Sequence, residues 1–154
     1  MINTRKLAQL FLQQSSADTW EEYSLTLAGL RPVVWDFIVL TAANEEQAQF
    51  YRRHLRERQE KGYLPRNSRW LVLADPDGQR VGSGGATLNV LEEIRSLCGS
   101  LDGLRLLVIH SGGDSKRIPQ YSACGKLFSP VLRCLPDGRN STLFDELLIA
   151  MSGV

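Results

Sequence analysis

Leu104-Arg105-Leu106-Leu107-Val108-Ile109, followed at once by His110-Ser111-Gly112-Gly113-Asp114-Ser115-Lys116-Arg117, is an apolar run that ends in two glycines and two cations, with Gly125-Lys126 a few residues on. The abrupt change from apolar to glycine and charge reads as a strand that delivers a loop to one edge of a sheet. Glycine lets backbone N–H groups approach a phosphate with no side chain between them, and nearby cations neutralise the charge held there. A second glycine-rich stretch, Val81-Gly82-Ser83-Gly84-Gly85-Ala86-Thr87, stands upstream and gives way to Leu88, Val90, Leu91, Ile94 and Leu97 at helical spacing. This predicts a loop that opens a helix whose N-terminus faces whatever the loop holds. Together the two stretches read as a phosphate cradle.

Working outward, Val33 to Thr41 is rich in β-branched and aromatic residues and apolar on both sides, as a central parallel strand is. Asn44 to about Lys61 changes to a helical pattern with Arg52, Arg53, Arg56 and Arg58 on exposed faces, read as a solvated surface. Trp70 to Ala74 is a further strand, and Asp75-Pro76-Asp77-Gly78 a turn. Strand, helix, strand with breakers between them is a βαβ unit. Residues 1–31 read as a helical lead-in of two short helices. The first carries an apolar face of Leu7, Leu10, Phe11 and Leu12, and the second starts at a Thr19/Glu22 capping box. Pro119, Pro130 and Pro136 predict an irregular stretch, after which Thr142 to Met151 returns to an amphipathic helix. The expectation is an α/β unit over 32–154 behind the lead-in.

Composition narrows what such a unit does. The 154 residues suit one domain, and 18 Lys+Arg against 17 Asp+Glu give a net charge of +1. No global field draws the chain to nucleic acid or an anionic membrane, so anion binding is local. Cys98, Cys124 and Cys134 are odd in number and widely spaced, with only His54 and His110 beside them, which suggests neither a disulfide framework nor a zinc site. No apolar stretch approaches the roughly 18 residues of a membrane span, and the cytoplasm is the expected compartment.

Two familiar phosphate motifs fail on particular residues. Thr87 stands where a dinucleotide fingerprint needs its third small residue, and Gln120 and Leu127 replace the first glycine and the Ser/Thr of a Walker loop. His110 reads as a satisfied buried histidine, and Cys124 as a packed thiol. Asp114 reads as a backbone cap in its glycine turn, with a role beside a metal as the alternative.

Ser111-Gly112-Gly113-Asp114-Ser115-Lys116-Arg117-Ile118-Pro119 followed by Gly125-Lys126 is similar to the signature loop of sugar-1-phosphate nucleotidyltransferases. Val81 to Asn89 and the strand Trp35 to Thr41 resemble the N-terminal region of L-fucokinases and of the bifunctional L-fucokinase/GDP-L-fucose pyrophosphorylases. The resemblance covers residues 33 to 135 and implies a Rossmann-like nucleotidyltransferase sheet of GT-A type flanked by helices, incomplete at the C-terminal side. It implies GMP transfer from GTP to L-fucose 1-phosphate, with Mg2+ as cofactor, its principal ligand beyond residue 154, and a kinase domain in the same polypeptide. Residue by residue, Arg117 matches the arginine that positions the departing pyrophosphate, and Lys126 the lysine on the attacked phosphate. Gly82, Gly84, Gly85, Gly112, Gly113 and Lys116 match the border of the nucleotide. A non-catalytic nucleotide-binding domain beside a fucokinase is the alternative.

Overall fold

The computed structural model describes residues 4–32, 34–111 and 125–153. Three strands, β1 (Phe37–Ala42), β2 (Arg69–Ala74) and β3 (Leu106–His110), form a parallel sheet in the order β2-β1-β3. The run that is apolar on both sides is the middle strand, and all six of its residues are buried. It begins at Phe37, later than the sequence pattern suggests. Asp36 occupies the entrance, where its carboxylate accepts the Arg105 N–H at 2.8 Å and its own N–H donates to the Arg105 carbonyl at 2.9 Å.

Helix α2 (Glu45–Glu60) carries the chain from β1 out to β2, and α3 (Gly82–Cys98) carries it back past β1 to β3. Parallel crossovers are right-handed, so two that run in opposite directions must cover opposite faces. The core divides accordingly. Ile38, Leu40 and Ala42 meet Ala48, Tyr51 and Leu55 of α2, whereas Phe37 and Val39 meet Val90 and Ile94 of α3. The apolar stripe on α3 is narrower than its spacing predicts, since Leu88 and Leu97 are exposed.

The glycines of 82–85 do not form a loop ahead of this helix. Helix α3 starts at Gly82 itself, so Gly82, Gly84 and Gly85 make up its first turn. The lead-in also departs from expectation, being a single helix, α1 (Thr4–Leu27). Thr19 is not an N-cap: its hydroxyl donates back to the Ser16 carbonyl at 3.1 Å, satisfied inside the helix. Leu7, Leu10, Phe11 and Leu12 are exposed. The packing of α1 comes from its other end, where Tyr23 is buried and donates its hydroxyl to the Tyr63 carbonyl.

Residues 130–142 are more regular than their prolines suggest. Strands β4 (Pro130–Cys134) and β5 (Asn140–Thr142) pair as an antiparallel hairpin. Pro130 is the first residue of its strand, where a missing N–H is tolerated, and Pro136 falls in the turn. Helix α4 (Leu143–Ala150) follows where the sequence predicts it, capped by Thr142 and Asp145 in a reciprocal capping box.

The hairpin and α4 are fastened to the α2 face of the sheet by a residue expected at the surface. Arg58 reaches Asp145 in two parallel bonds, Nε to Oδ1 at 3.2 Å and Nη2 to Oδ2 at 3.1 Å, with side chains 13% and 5% exposed. Its guanidinium lies over the rings of Phe128 and Phe144, 4.9 and 5.5 Å from their centroids. Burial pushes the Asp145 carboxyl up, but hydrogen bonds from Arg58 and Thr142 outweigh it and hold the group below its usual range. The solvated reading of the arginines therefore fails at Arg58. The fifth position of a helical pattern after Phe50-Tyr51, His54 and Leu55 belongs to the packed side of α2.

Asp145→Ala should lower the stability by about 3 kcal/mol, because it leaves a buried guanidinium unpaired. Urea unfolding of that variant beside Arg58→Met/Asp145→Leu should show the double replacement costing less than the single one. A pH dependence comes from His54, stacked on Phe128 at 4.7 Å and edge-on to Phe50 at 4.4 Å. Burial and the neighbouring Arg58 push its pKa below the ordinary 6.5, with Glu57 and Asp145 opposing. The unfolded chain thus binds the proton more readily, so the contribution is full above pH 6.5 and is lost as pH falls through the folded-state pKa. Urea midpoints at pH 7.5 and 5.5 should differ for the native chain and differ less for His54→Gln.

Candidate nucleotide-binding site

The carboxyl ends of the strands make the site. Because the chain leaves β1 toward β2 on one side and returns to β3 on the other, the loops diverge between β1 and β3. Such a switch point opens a crevice. A cavity of about 250 Å³ lies there, lined by Thr41, Ala43, Asp75, Arg80, Gly82, Ser83, Ala86 and His110. It brings together the ends of all three strands and the first turn of α3.

The two crossover helices present very different N-termini to this crevice. At α2 the Asn44 side chain accepts the Gln47 N–H at 2.9 Å, Glu45 and Glu46 occupy the first turn, and the Gln47 Oε1 accepts the Ala43 N–H at 2.8 Å. That terminus is satisfied by its own residues. Helix α3 begins with no side-chain cap and no acidic residue in its first turn. Gly82 and Ser83 of that turn line the cavity, and the uncapped amides and positive dipole end of a helix N-terminus suit an anion. Gly82 has φ +68°, in the left-handed region that favours glycine. Gly85 serves packing, since a Cβ there would stand 2.6 Å from the Val81 Cβ. Gly84 has open space around it.

His110 is satisfied as expected but is exposed rather than buried. Its Nδ1 lies 3.3 Å from the Thr41 hydroxyl and its Nε2 3.2 Å from that of Thr87. The sheet register explains the first contact, for Thr41 and His110 are direct neighbours on β1 and β3. Thr87, the residue that spoils a dinucleotide fingerprint, supplies the second.

Ser111 and Gly125 are both held at one side chain. The Tyr51 hydroxyl shares a 2.5 Å hydrogen bond with Ser111, and a Cβ on Gly125 would collide with that same hydroxyl. Gly125 has φ +71°, so glycine is required there twice over. Burial raises the Tyr51 pKa, with the Ser111 bond opposing it. The same Cβ would stand 3.0 Å from Nε2 of Gln47, the side chain whose Oε1 accepts the N–H of Ala43 on the cavity wall, and Lys126 is the next residue and exposed. Gly112, Gly113, Asp114, Lys116, Arg117 and Cys124 lie outside the described residues. Sequence reasoning missed Tyr51, Arg80 and Asp75. Asp75-Pro76-Asp77-Gly78 was legible as a turn, but nothing local says that its first residue faces a crevice.

Residues 99–154 match the fucose pyrophosphorylase domain. Those residues carry the likeness to that family. The chain is 42% identical over 118 residues to a mouse fucose-1-phosphate guanylyltransferase, a match that covers 76% of this chain and 19% of the relative. It is 36% identical over 157 residues to an Arabidopsis thaliana bifunctional fucokinase/GDP-fucose pyrophosphorylase, covering 84% of this chain and 15% of the relative. A Bacteroides fragilis L-fucokinase/L-fucose-1-P guanylyltransferase is 35% identical over 69 residues, 40% of this chain and 7% of the relative. The chain thus spans about a fifth or less of the length of these relatives. No solved structure matches it.

Gly125→Ala should destabilise the chain by more than roughly 1 kcal/mol, combining a positive φ with the collision. Tyr51→Phe removes the nearest colliding atom, so thermal unfolding should find the double variant less impaired than the two single effects summed.

Proposed function

We propose that this chain holds the triphosphate of GTP for a fucose-1-phosphate guanylyltransferase, forming the nucleotide-binding part of a longer GT-A-type enzyme. The observation that carries the reading is the uncapped first turn of α3, with Gly82 and Ser83 on the cavity wall at the sheet's switch point. Anions bind where backbone donors and a helix dipole converge, and Arg80 adds a cation to the same wall.

In the proposed reaction an oxygen of L-fucose 1-phosphate attacks the α-phosphorus of GTP. The bond to the β-phosphate breaks, pyrophosphate leaves with the bonding electrons, and GDP-L-fucose forms. No protein nucleophile is needed, so catalysis is positioning and electrostatic stabilisation. Lys126 is assigned to the attacked phosphate and Arg117 to the departing pyrophosphate, as the family resemblance implies, with Lys116, Gly112 and Gly113 bordering the nucleotide.

Mg2+ would neutralise the charge that the triphosphate oxygens carry. Among the described residues no three His, Cys, Asp or Glu side chains come together, but Asp75 brings a carboxylate to the cavity wall. That suits an ion usually held by one or two carboxylates and by the phosphates themselves. Asp75 is therefore the residue assigned to it here, with Asp114 the second candidate and a principal ligand expected beyond residue 154. A kinase domain in the same polypeptide and a cytoplasmic setting belong to the same proposal. Among the described residues no helix is long and apolar enough to cross a membrane.

Calorimetry is the test. Lys126→Ala and Arg117→Ala should each weaken GTP binding at least about tenfold, the size of one charge-assisted phosphate contact, with thermal unfolding unchanged. Equal GTP affinity in the native chain and both variants would overturn the reading.

A further inference from the structure

The contacts of His110 fix more than its position. A threonine hydroxyl has a single hydrogen to donate. That of Thr87 goes to the Ser83 carbonyl one turn back, at 2.9 Å. Toward His110 the Thr87 oxygen can then only accept, so the Nε2 facing it at 3.2 Å must be the ring nitrogen that carries hydrogen. A neutral imidazole has one donor and one acceptor nitrogen. Nδ1 is therefore the acceptor and takes the Thr41 hydroxyl at 3.3 Å. The hydrogens run in one direction, from Thr41 on β1 through His110 on β3 to Thr87 and the Ser83 carbonyl on α3.

This relay joins the parts of the cavity wall that must hold their spacing. Thr41, His110 and Ser83 all line the cavity, and Thr87 belongs to the first turns of α3 just inside it. The turn it reaches has no side-chain cap, contains three glycines and leaves Ser83 and Gly84 exposed. Glycine loses more conformational freedom on folding than any other residue, so this is the part of α3 least able to hold itself. Two residues beyond Thr87, Asn89 Nδ2 donates to the Ala74 carbonyl at 3.4 Å, on the β2 side.

We propose that His110, held as its Nε2–H tautomer between Thr41 and Thr87, is a positioning residue that fixes the first turn of α3 against β1 and β3 and so sets the nucleotide-facing wall of the cavity. The proposal rests on the nucleotide reading above for its consequence, but not for its geometry. It asks no proton transfer of His110.

The test uses the whole chain, with His110→Ala, the near-isosteric Thr87→Val and their combination. In the native chain without nucleotide at pH 8, nitrogen NMR should show His110 protonated at Nε2 and not at Nδ1. Hydrogen exchange at Gly85, Ala86 and Thr87, the first amides tied back in the helix, should quicken several-fold in both single variants and stay unchanged in α2. GTP affinity should fall to a similar degree in each, about tenfold, and the double variant should be no weaker than the weaker single, since both remove one interaction. An Nδ1–H tautomer, unchanged exchange in Thr87→Val, or multiplying losses of affinity would overturn the proposal. If the native chain binds no GTP, the nucleotide reading fails, and the tautomer and exchange results still decide the positioning role.

Discussion

The bidentate pair between Arg58 and Asp145 is the constraint on which the assembly of this chain depends. The parallel sheet is fixed by the apolar run of β1, but nothing in that run specifies where residues 125–153 go. Arg58 does, because it satisfies Asp145, reaches the Thr142 hydroxyl at 3.2 Å and covers the rings of Phe128 and Phe144. A buried carboxylate that also caps its own helix cannot be left without its cation. Seating Phe128 on α2 brings Gly125 against Tyr51, and Tyr51 in turn holds Ser111. A contact remote from the cavity thus determines where the flanks of the second glycine stretch lie.

A division of labour between the two crossover helices follows from the same economy of polar groups. Both point N-termini at the crevice, as parallel α/β topology requires. Helix α2 satisfies its own with Asn44 and Gln47, and those bonds fix Ala43 and the strand end beneath it. Helix α3 has given up side-chain capping and most of the helix propensity of its first turn by placing glycine at 82, 84 and 85. A sequence that departs from local preference in this way needs support from elsewhere. Here that support is lateral, from Thr41 and His110 on the sheet.

Much of this was legible beforehand, for identifiable reasons. The α/β class, the two crossover helices, the middle strand and the amphipathic helix after Thr142 all rest on local patterns: period and turn residues. The failures came where a distant partner overrides the local signal. Arg58 looks like its solvated neighbours Arg53 and Arg56 until Asp145, 87 positions away, is brought to it. Pro130 looks like a breaker until it is seen at the first position of a hairpin strand. Thr19 and Glu22 have capping-box spacing, yet the helix runs through them, because Trp20 and Tyr23 pack from the same turn. At the site, the glycine stretch singles out Gly82 from sequence, whereas the pattern around His110 reads as a buried histidine. Tyr51 and Asp75 could not be found that way, for their meaning lies in what the topology sets opposite them.

The match to the fucose pyrophosphorylase domain begins at Gly99, and physical reasoning says that such a boundary cannot be a folding boundary. In the described sheet β3 pairs with β1 alone, so without residues 37–42 it has no ladder at all. Phe128, Phe144 and Asp145 would lose α2, and with it the guanidinium that makes the burial of Asp145 tolerable. The cavity divides in the same manner: of its lining residues His110 lies within 99–154, while Thr41, Asp75, Arg80, Gly82 and Ser83 come before it. The relay through His110 crosses that boundary twice, to Thr41 and to Thr87. The segment most characteristic of the family therefore supplies one wall of a crevice whose other walls, and whose stability, belong to the residues ahead of it.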